Sequence, residues 1–261
     1  MLRGAWAVVT GASSGIGREF AVQLARRGLN VVLVARRGDA LDALARELAS
    51  AHAIHAQTVA LDLADDGAAA HLRGALEARG IEPRVLINNA GVGRWGRFED
   101  APEGSNRRLL RVNAAAVLSL CEEFLPALAR HAPAAVVNVS SPAALQPVPY
   151  MAAYAATKAF VHSLSLALHE EWRGRGVYVQ TLVPGPTASE FDARAGAYES
   201  RLGAGRDPPG KAVDASLRAF AREHPLVVTA EGTRTQRLFA ALAPTRTVLA
   251  KVGAMFRPPA R

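Results

Sequence analysis

The chain contains one cysteine, Cys121, among 261 residues. A lone thiol excludes an internal disulfide framework and fits a reducing compartment. No activating base lies near it in the sequence, so Cys121 reads as a small buried hydrophobe. Aromatic residues are sparse, at 6%, and form neither a reader motif nor a basic–aromatic platform for nucleic acid. No uninterrupted apolar run reaches the length of about eighteen residues that a membrane span needs. The N-terminus enters a strand pattern too early for a secretory leader. Acidic residues are outnumbered, 23 to 31, which leaves a net charge of +8, and the seven histidines show no metal-ligand spacing. The expectation is a cytoplasmic protein without metal, nucleic acid or membrane span.

What is present is a large apolar fraction, 50% of the chain, ample for one core. Strand patterns fall at Ala5–Thr10, Asn30–Ala35, His55–Ala60, Val85–Asn88, Ala134–Ser140, Val177–Val183 and Leu226–Thr229. They are short, apolar and rich in valine, as strands buried on both faces are. Helical patterns lie between them, for example Gly15–Arg27 and Ala40–Ala51, with Gly28 suited to the left-handed position past a helix end. Such alternation predicts an α/β fold, a single doubly wound parallel sheet of about seven strands with helices on both faces. No internal repeat or linker divides the chain. We read 1–229 as one nucleotide-binding and catalytic domain and 230–261 as a basic amphipathic extension.

The first strand runs into Thr10-Gly-Ala-Ser-Ser-Gly-Ile-Gly17. Gly11, Gly15 and Gly17 permit a tight turn and let a pyrophosphate approach the backbone at a helix N-terminus, where free N–H groups favour anions. Ser13, Ser14 and Ile16 belong to the same loop. Far downstream, Tyr154 and Lys158 stand four residues apart, on one face of a helix. A nearby ammonium favours the phenolate and makes the tyrosine a better proton donor and acceptor near neutral pH. Ser141 lies thirteen residues before Tyr154, at the end of an apolar strand.

Together, TGASSGIG at 10–17, Asn88-Asn-Ala-Gly91, Asn113, Ser141, Tyr154 with Lys158, and Pro184-Gly185 resemble the short-chain dehydrogenase/reductase family, in its order and over about residues 5–230. The resemblance implies a Rossmann-like fold and a nicotinamide cofactor. Asp62-Leu63 would contact the adenine, although Asp62 also suits a helix cap. Asn89, Ala90 and Gly91 would lie against the cofactor. Pro184, Gly185 and Thr187 would hold the nicotinamide carboxamide. Where an acid would bind the ribose 2′-hydroxyl of NAD, this chain has Arg36-Arg37, and arginine pairs with a 2′-phosphate, so NADP(H) is expected. Asp39 reads as the cap of the next helix.

In a carbonyl reduction Tyr154 would donate the proton, Ser141 would hydrogen-bond the developing oxyanion, and Lys158 would lower the phenol pKa and hold the nicotinamide ribose. The resemblance alone gives Asn113 a water linking Lys158 to solvent. The family's thirteen-residue offset selects Ser141 over Ser140, and Tyr150 lacks the lysine that Tyr154 has. Ala143, Ala144, Leu145, Pro147, Val148, Pro149, Met151, Val92 and Trp95, with Phe191 and Tyr198 in the long 184–210 loop, are the expected substrate wall, suited to a lipophilic ketone or alcohol.

Residues 230–261 carry six basic residues and one acid, Glu231. Leu238, Phe239 and Leu242 share one helical face; Val248, Leu249, Val252, Met255 and Phe256 share another. The extension is read as a cover for the pocket or for a subunit interface; contact of 234–261 with an anionic membrane surface is the other reading. The family's pairing helices, near 105–130 and 152–173, imply a homodimer or homotetramer. An NADP(H)-dependent oxidoreductase on a carbonyl or alcohol is the leading reading. A non-catalytic nucleotide-binding redox sensor is the alternative, for which the Asn113, Ser141, Tyr154, Lys158 set would be superfluous.

Overall fold

A computed structural model describes residues 2–196 and 205–258. Seven strands form one parallel sheet: β1 Trp6–Thr10, β2 Asn30–Ala35, β3 Ala56–Ala60, β4 Pro83–Asn88, β5 Ala134–Val139, β6 Val177–Val183 and β7 Leu226–Val228. Their spatial order is β3-β2-β1-β4-β5-β6-β7, every pair parallel. The order reverses between β1 and β4, which opens a crevice at the carboxyl ends of the strands. β4 begins earlier than its apolar run, at Pro83, a first strand position where a missing N–H donor is tolerated.

Strand periodicity explains the layers. Val8, Val32, Val34, Leu86 and Val136 belong to one core, while Ala7, Val9, Val31, Leu33, Val85, Ile87 and Val137 belong to the other. Alternate side chains therefore feed opposite faces. On one face pack α1 Gly15–Arg26, α2 Gly38–His52 and α8 Pro209–Ala219, through Phe20, Leu24, Leu41, Leu44, Leu48 and Val213. On the other pack α3 Ala68–Glu77, α5 Ala116–Arg130 and α6 Ala152–Arg173, through Leu72, Leu76, Leu120, Phe124, Leu128 and Val161. Each fully buried side chain of this size is worth about 1.5–3 kcal/mol.

Several local expectations change. Gly28 is at φ +77° as anticipated, but Arg37, with an extended backbone, precedes α2 at its N-cap. Asp39 lies inside the first turn of α2, where its charge favours the helix dipole without capping. Asp62 caps no helix either, since α3 starts after Gly67 at φ +74°. The helical run Ser105–Arg130, comprising α4 Ser105–Leu110, a π-turn at Arg111–Ala115 and α5, is long and apolar enough by composition to cross a bilayer. Half of its most apolar window is buried, and it packs on α3, β4 and α6 as a core helix does. After β6 come the short α7 Phe191–Arg194 and then α8; after β7 come α9 Thr233–Leu242 and α10 Thr245–Phe256.

Candidate active site

The glycine-rich turn is built for close approach. Gly11 and Gly15 have φ of +67° and +55°, a region that side chains avoid. A Cβ on Gly17 would lie 2.3 Å from the Gly11 carbonyl oxygen and 2.4 Å from the Asn89 amide nitrogen. Asn89, just past the end of β4, braces this turn, its side-chain amide donating to the Thr10 carbonyl at 2.9 Å, while the Thr10 hydroxyl accepts from the Asn89 and Ala90 backbone N–H groups. Asn89 thus holds the cradle in shape from behind, and Gly17 locks α1 against it.

A cavity of about 1310 Å³ spans the carboxyl ends of the strands. That exceeds the usual volume of a small-ligand pocket and suits a dinucleotide with a substrate beside it. Gly11, Ser13, Ser14, Gly15 and Ile16 line one end, with Arg36, Arg37, Asp62 and Leu63. Asn89, Ala90 and Gly91 form its floor, and Ser141, Tyr154, Lys158, Pro184, Gly185 and Thr187 its other half. Of the catalytic and cofactor-binding residues expected from sequence, Gly17 and Asn113 stand behind the wall.

The two arginines differ. Arg37 donates to the Ser13 hydroxyl at 3.1 Å and pairs with Glu190 at 2.9 Å. Arg36 is exposed at the cavity edge and makes no hydrogen bond or ion pair among the described residues. Asp62 is tied to Arg108 from α4 and accepts from the Ala64 N–H at 3.0 Å. Partial burial works against its charge, but the Arg108 hydrogen bond and the Ala64 amide, with the field of Arg36, hold the carboxyl below its usual range. Arg108 was not evident from sequence; a basic residue on a later helix carries no local sign of its partner.

Tyr154 and Lys158 are 8% and 5% exposed, on the face of α6 that meets the cavity. Lys158 Nζ donates to the Val139 carbonyl at 2.8 Å and stands 5.9 Å from the Tyr154 ring centre. Burial pushes the Lys158 ammonium down to about 8. Burial also pushes the Tyr154 phenol up to about 12, against the hydrogen bond from Ser141 and with help from the Asp192 carboxylate. The phenol is thus raised, where the sequence predicts that Lys158 lowers it, because desolvation dominates. Ser140 points the other way, its hydroxyl donating to the Lys158 carbonyl at 3.0 Å. Strand alternation leaves Ser141 on the cavity side, where it also accepts from the Ala143 N–H at 3.2 Å. Tyr150, at φ +67°, lines a small separate hollow.

Asn113 sits in the π-turn, fully buried. Its side chain accepts from the Val92 N–H and donates to the Val92 carbonyl, both at 2.8 Å. A widened helical turn next to a functional site frequently serves to aim a side chain, and here it clamps the loop after Gly91. A Cβ on Gly91 would lie 3.5 Å from Asn113 Oδ1 and 3.6 Å from Lys158 Nζ, ordinary contact distances, so Gly91 stands at the junction of the two side chains. Thr187 donates to the Gly185 carbonyl at 2.8 Å and pairs as an isolated bridge with Asp207. Cys121 is 1% exposed, and burial pushes its thiol up to about 12; it is inert packing.

The substrate half of the cavity is lined by Val92, Ala143, Val148, Met151 and Phe191, as the sequence predicts. The Phe191 ring packs 5.5 Å from that of Tyr154. Ala144, Leu145, Pro147 and Pro149 do not reach the lining, although their neighbours Ala143, Gln146 and Val148 do. Trp95 also lies outside it; its indole donates to the Phe256 carbonyl at 2.6 Å and ties the loop to the C-terminal helix. Tyr198 lies outside the described residues. The extension supplies wall that sequence reasoning left open: Phe239, Val252, Met255 and Phe256 line the cavity, and Val248 and Val252 pack on Val148 and Ala155. The stripe of apolar residues in α10 was the available signal.

The sequence model of a family described as "short chain dehydrogenase" matches residues 5–199. The very-long-chain 3-oxoacyl-CoA reductase of Bos taurus is 36% identical over 185 residues, which is 69% of this chain and 59% of that protein. The chain thus matches about three fifths of the length of such relatives. A short-chain dehydrogenase from Sphingobium yanoikuyae in complex with NADPH superposes with a TM-score of 0.81 at 31% identity, covering 98% of this chain and 96% of that one. A bulky-bulky ketone specific alcohol dehydrogenase from Comamonas testosteroni superposes with a TM-score of 0.76 at 31% identity, covering 98% and 95%.

Proposed function

This chain belongs to the short-chain dehydrogenase family, and from that footing we propose that it is an NADP(H)-dependent oxidoreductase interconverting a lipophilic ketone and its secondary alcohol. The observation that carries the reading is the convergence of Ser141, Tyr154 and Lys158 on one cavity whose other half is lined by the glycine-rich turn. A bound nicotinamide supplies or accepts the hydride. In reduction, the Tyr154 phenol, protonated at neutral pH, donates its proton to the nascent alkoxide. Ser141 holds the same oxygen with a hydrogen bond. Lys158, still largely cationic at pH 7, would hold the ribose of a bound nicotinamide nucleotide and stabilise the phenolate that proton transfer leaves behind. Asn113 keeps the Val92 loop in place against that junction.

Arg36 supports NADP(H), as a cavity-edge guanidinium that would pair with a 2′-phosphate. The apolar wall of Met151, Phe191, Phe239 and Val252 supports a lipophilic substrate, and the name of the bovine relative adds acyl compounds to the panel worth assaying. A redox sensor has no need of a buried phenol with a serine on it. Leu110, Leu118 and Phe160, at 55%, 36% and 41% exposure on α4, α5 and α6, support pairing of copies as a homodimer or homotetramer. The single buried thiol supports a cytoplasmic setting. A panel of ketones, including acyl compounds, assayed by NADPH consumption tests the activity. No turnover of any member, in either direction and with either nicotinamide, would refute it.

A further inference from the structure

The stretch after Thr187 runs back across the nucleotide half of the cavity. A Cβ on Gly15 would lie 3.0 Å from the Ser189 Cβ, so the stretch touches the phosphate-binding turn itself. The next residue, Glu190, lines the cavity there. Its carboxylate takes hydrogen bonds from Arg37 at 2.9 and 3.3 Å and pairs with Arg194 at 2.8 Å. The same Arg37 guanidinium donates to the Ser13 hydroxyl and carbonyl. Those donors, the Arg37 hydrogen bonds first and that of Ser14 among them, hold the Glu190 carboxyl below its ordinary range. A guanidinium, a serine of the glycine-rich loop and a second arginine around one anion are the donor set that a phosphate monoester would want.

We infer that Glu190 sets the cofactor preference, its carboxylate standing on Arg37 and the glycine-rich loop in the place of a phosphate of the incoming dinucleotide. The inference rests on the NADP(H) reading. Arg36, which has no hydrogen bond or ion pair among the described residues, makes the first contact with the 2′-phosphate; Arg37 joins it only when Glu190 lets go. The pair is weakly held, since Arg37 and Glu190 are 40% and 49% exposed and such pairs are worth little in water. Glu190 therefore acts as a brake on 2′-phosphorylated nucleotides and is indifferent to the free ribose of NAD(H).

Calorimetric titration of NADPH, NADH, 2′,5′-ADP and 5′-AMP into wild type and Glu190→Gln separates the terms. The variant should bind NADPH and 2′,5′-ADP about threefold more tightly or better, with NADH and 5′-AMP unmoved. In an Arg37→Gln background the Glu190→Gln change should have no effect. Equal shifts for phosphorylated and unphosphorylated nucleotides, no shift, or weaker NADPH binding would overturn the inference. Wild-type protein binding NADH as tightly as NADPH would sink the cofactor reading and this inference with it. An intact NADPH preference that Glu190→Gln does not raise sinks the inference alone.

Discussion

Lys158 Nζ stands 5.9 Å from the centre of the Tyr154 ring and spends its 2.8 Å hydrogen bond on the Val139 carbonyl. The pair is thus anchored through β5, and each member is shifted toward its neutral form by burial. A phenol that keeps its proton suits the reduction direction, and a lysine close to losing its own marks an alkaline limit.

Tyr154→Phe should lower turnover by more than tenfold while leaving NADPH binding nearly intact, because only the hydroxyl is lost from a packed ring. Ketone reduction and nucleotide titration measure the two terms. Activity above a tenth of wild type would remove Tyr154 from its role.

The two directions should differ in pH dependence. The Tyr154 pKa is raised to about 12, so the acid form persists through neutral pH and the base form grows only on the alkaline side. Alcohol oxidation should therefore rise as pH increases from 7 to 9, while reduction needs no such rise. Parallel kcat/KM profiles in both directions check this; identical profiles would count against a phenol held protonated.

Lys158 makes a stability prediction of defined sign. Its folded pKa is depressed from 10.5 to about 8, so the unfolded chain binds more protons between those values and stability rises with pH across that window. Relative to Lys158→Met, wild type should gain up to about 3 kcal/mol from pH 7 to 10.5. Urea unfolding of both proteins along that range reads the difference, which a flat offset would contradict.

Arg36→Asp should move preference from NADPH toward NADH by placing an acceptor for the ribose 2′-hydroxyl where a guanidinium stood. The ratio of kcat/KM values is the measurement. An unchanged ratio would assign the phosphate to Arg37 alone.

Val252→Trp should narrow the substrate half of the cavity, since Val252 is 2% exposed and lines it beside Phe239. Bulky ketones should lose kcat/KM by about tenfold or more while small ones are spared. Equal losses for both would point to a folding defect rather than a wall. Truncation of residues 234–261, compared with the full chain in liposome sedimentation, tests the other role of the extension; equal pelleting removes membrane contact.

The valine runs, the glycine turn and the spacing of Tyr154 and Lys158 were legible in the sequence because each is a local pattern: a strand alternates, a helix brings i and i+4 together, and a missing Cβ is written in the residue type. That much determined the parallel sheet and most of the cavity floor. The tertiary structure alone decided the rest. It turned Ser140 into the α6 backbone and Ser141 into the cavity. It brought Arg108 to Asp62, and Glu190 to Arg37 across 153 residues. It laid α10 over the substrate half, and it let desolvation set the direction of the Tyr154 shift. Contacts between distant segments, and the loss of water around them, depend on how the loops return to the sheet, and no periodicity along the chain encodes that.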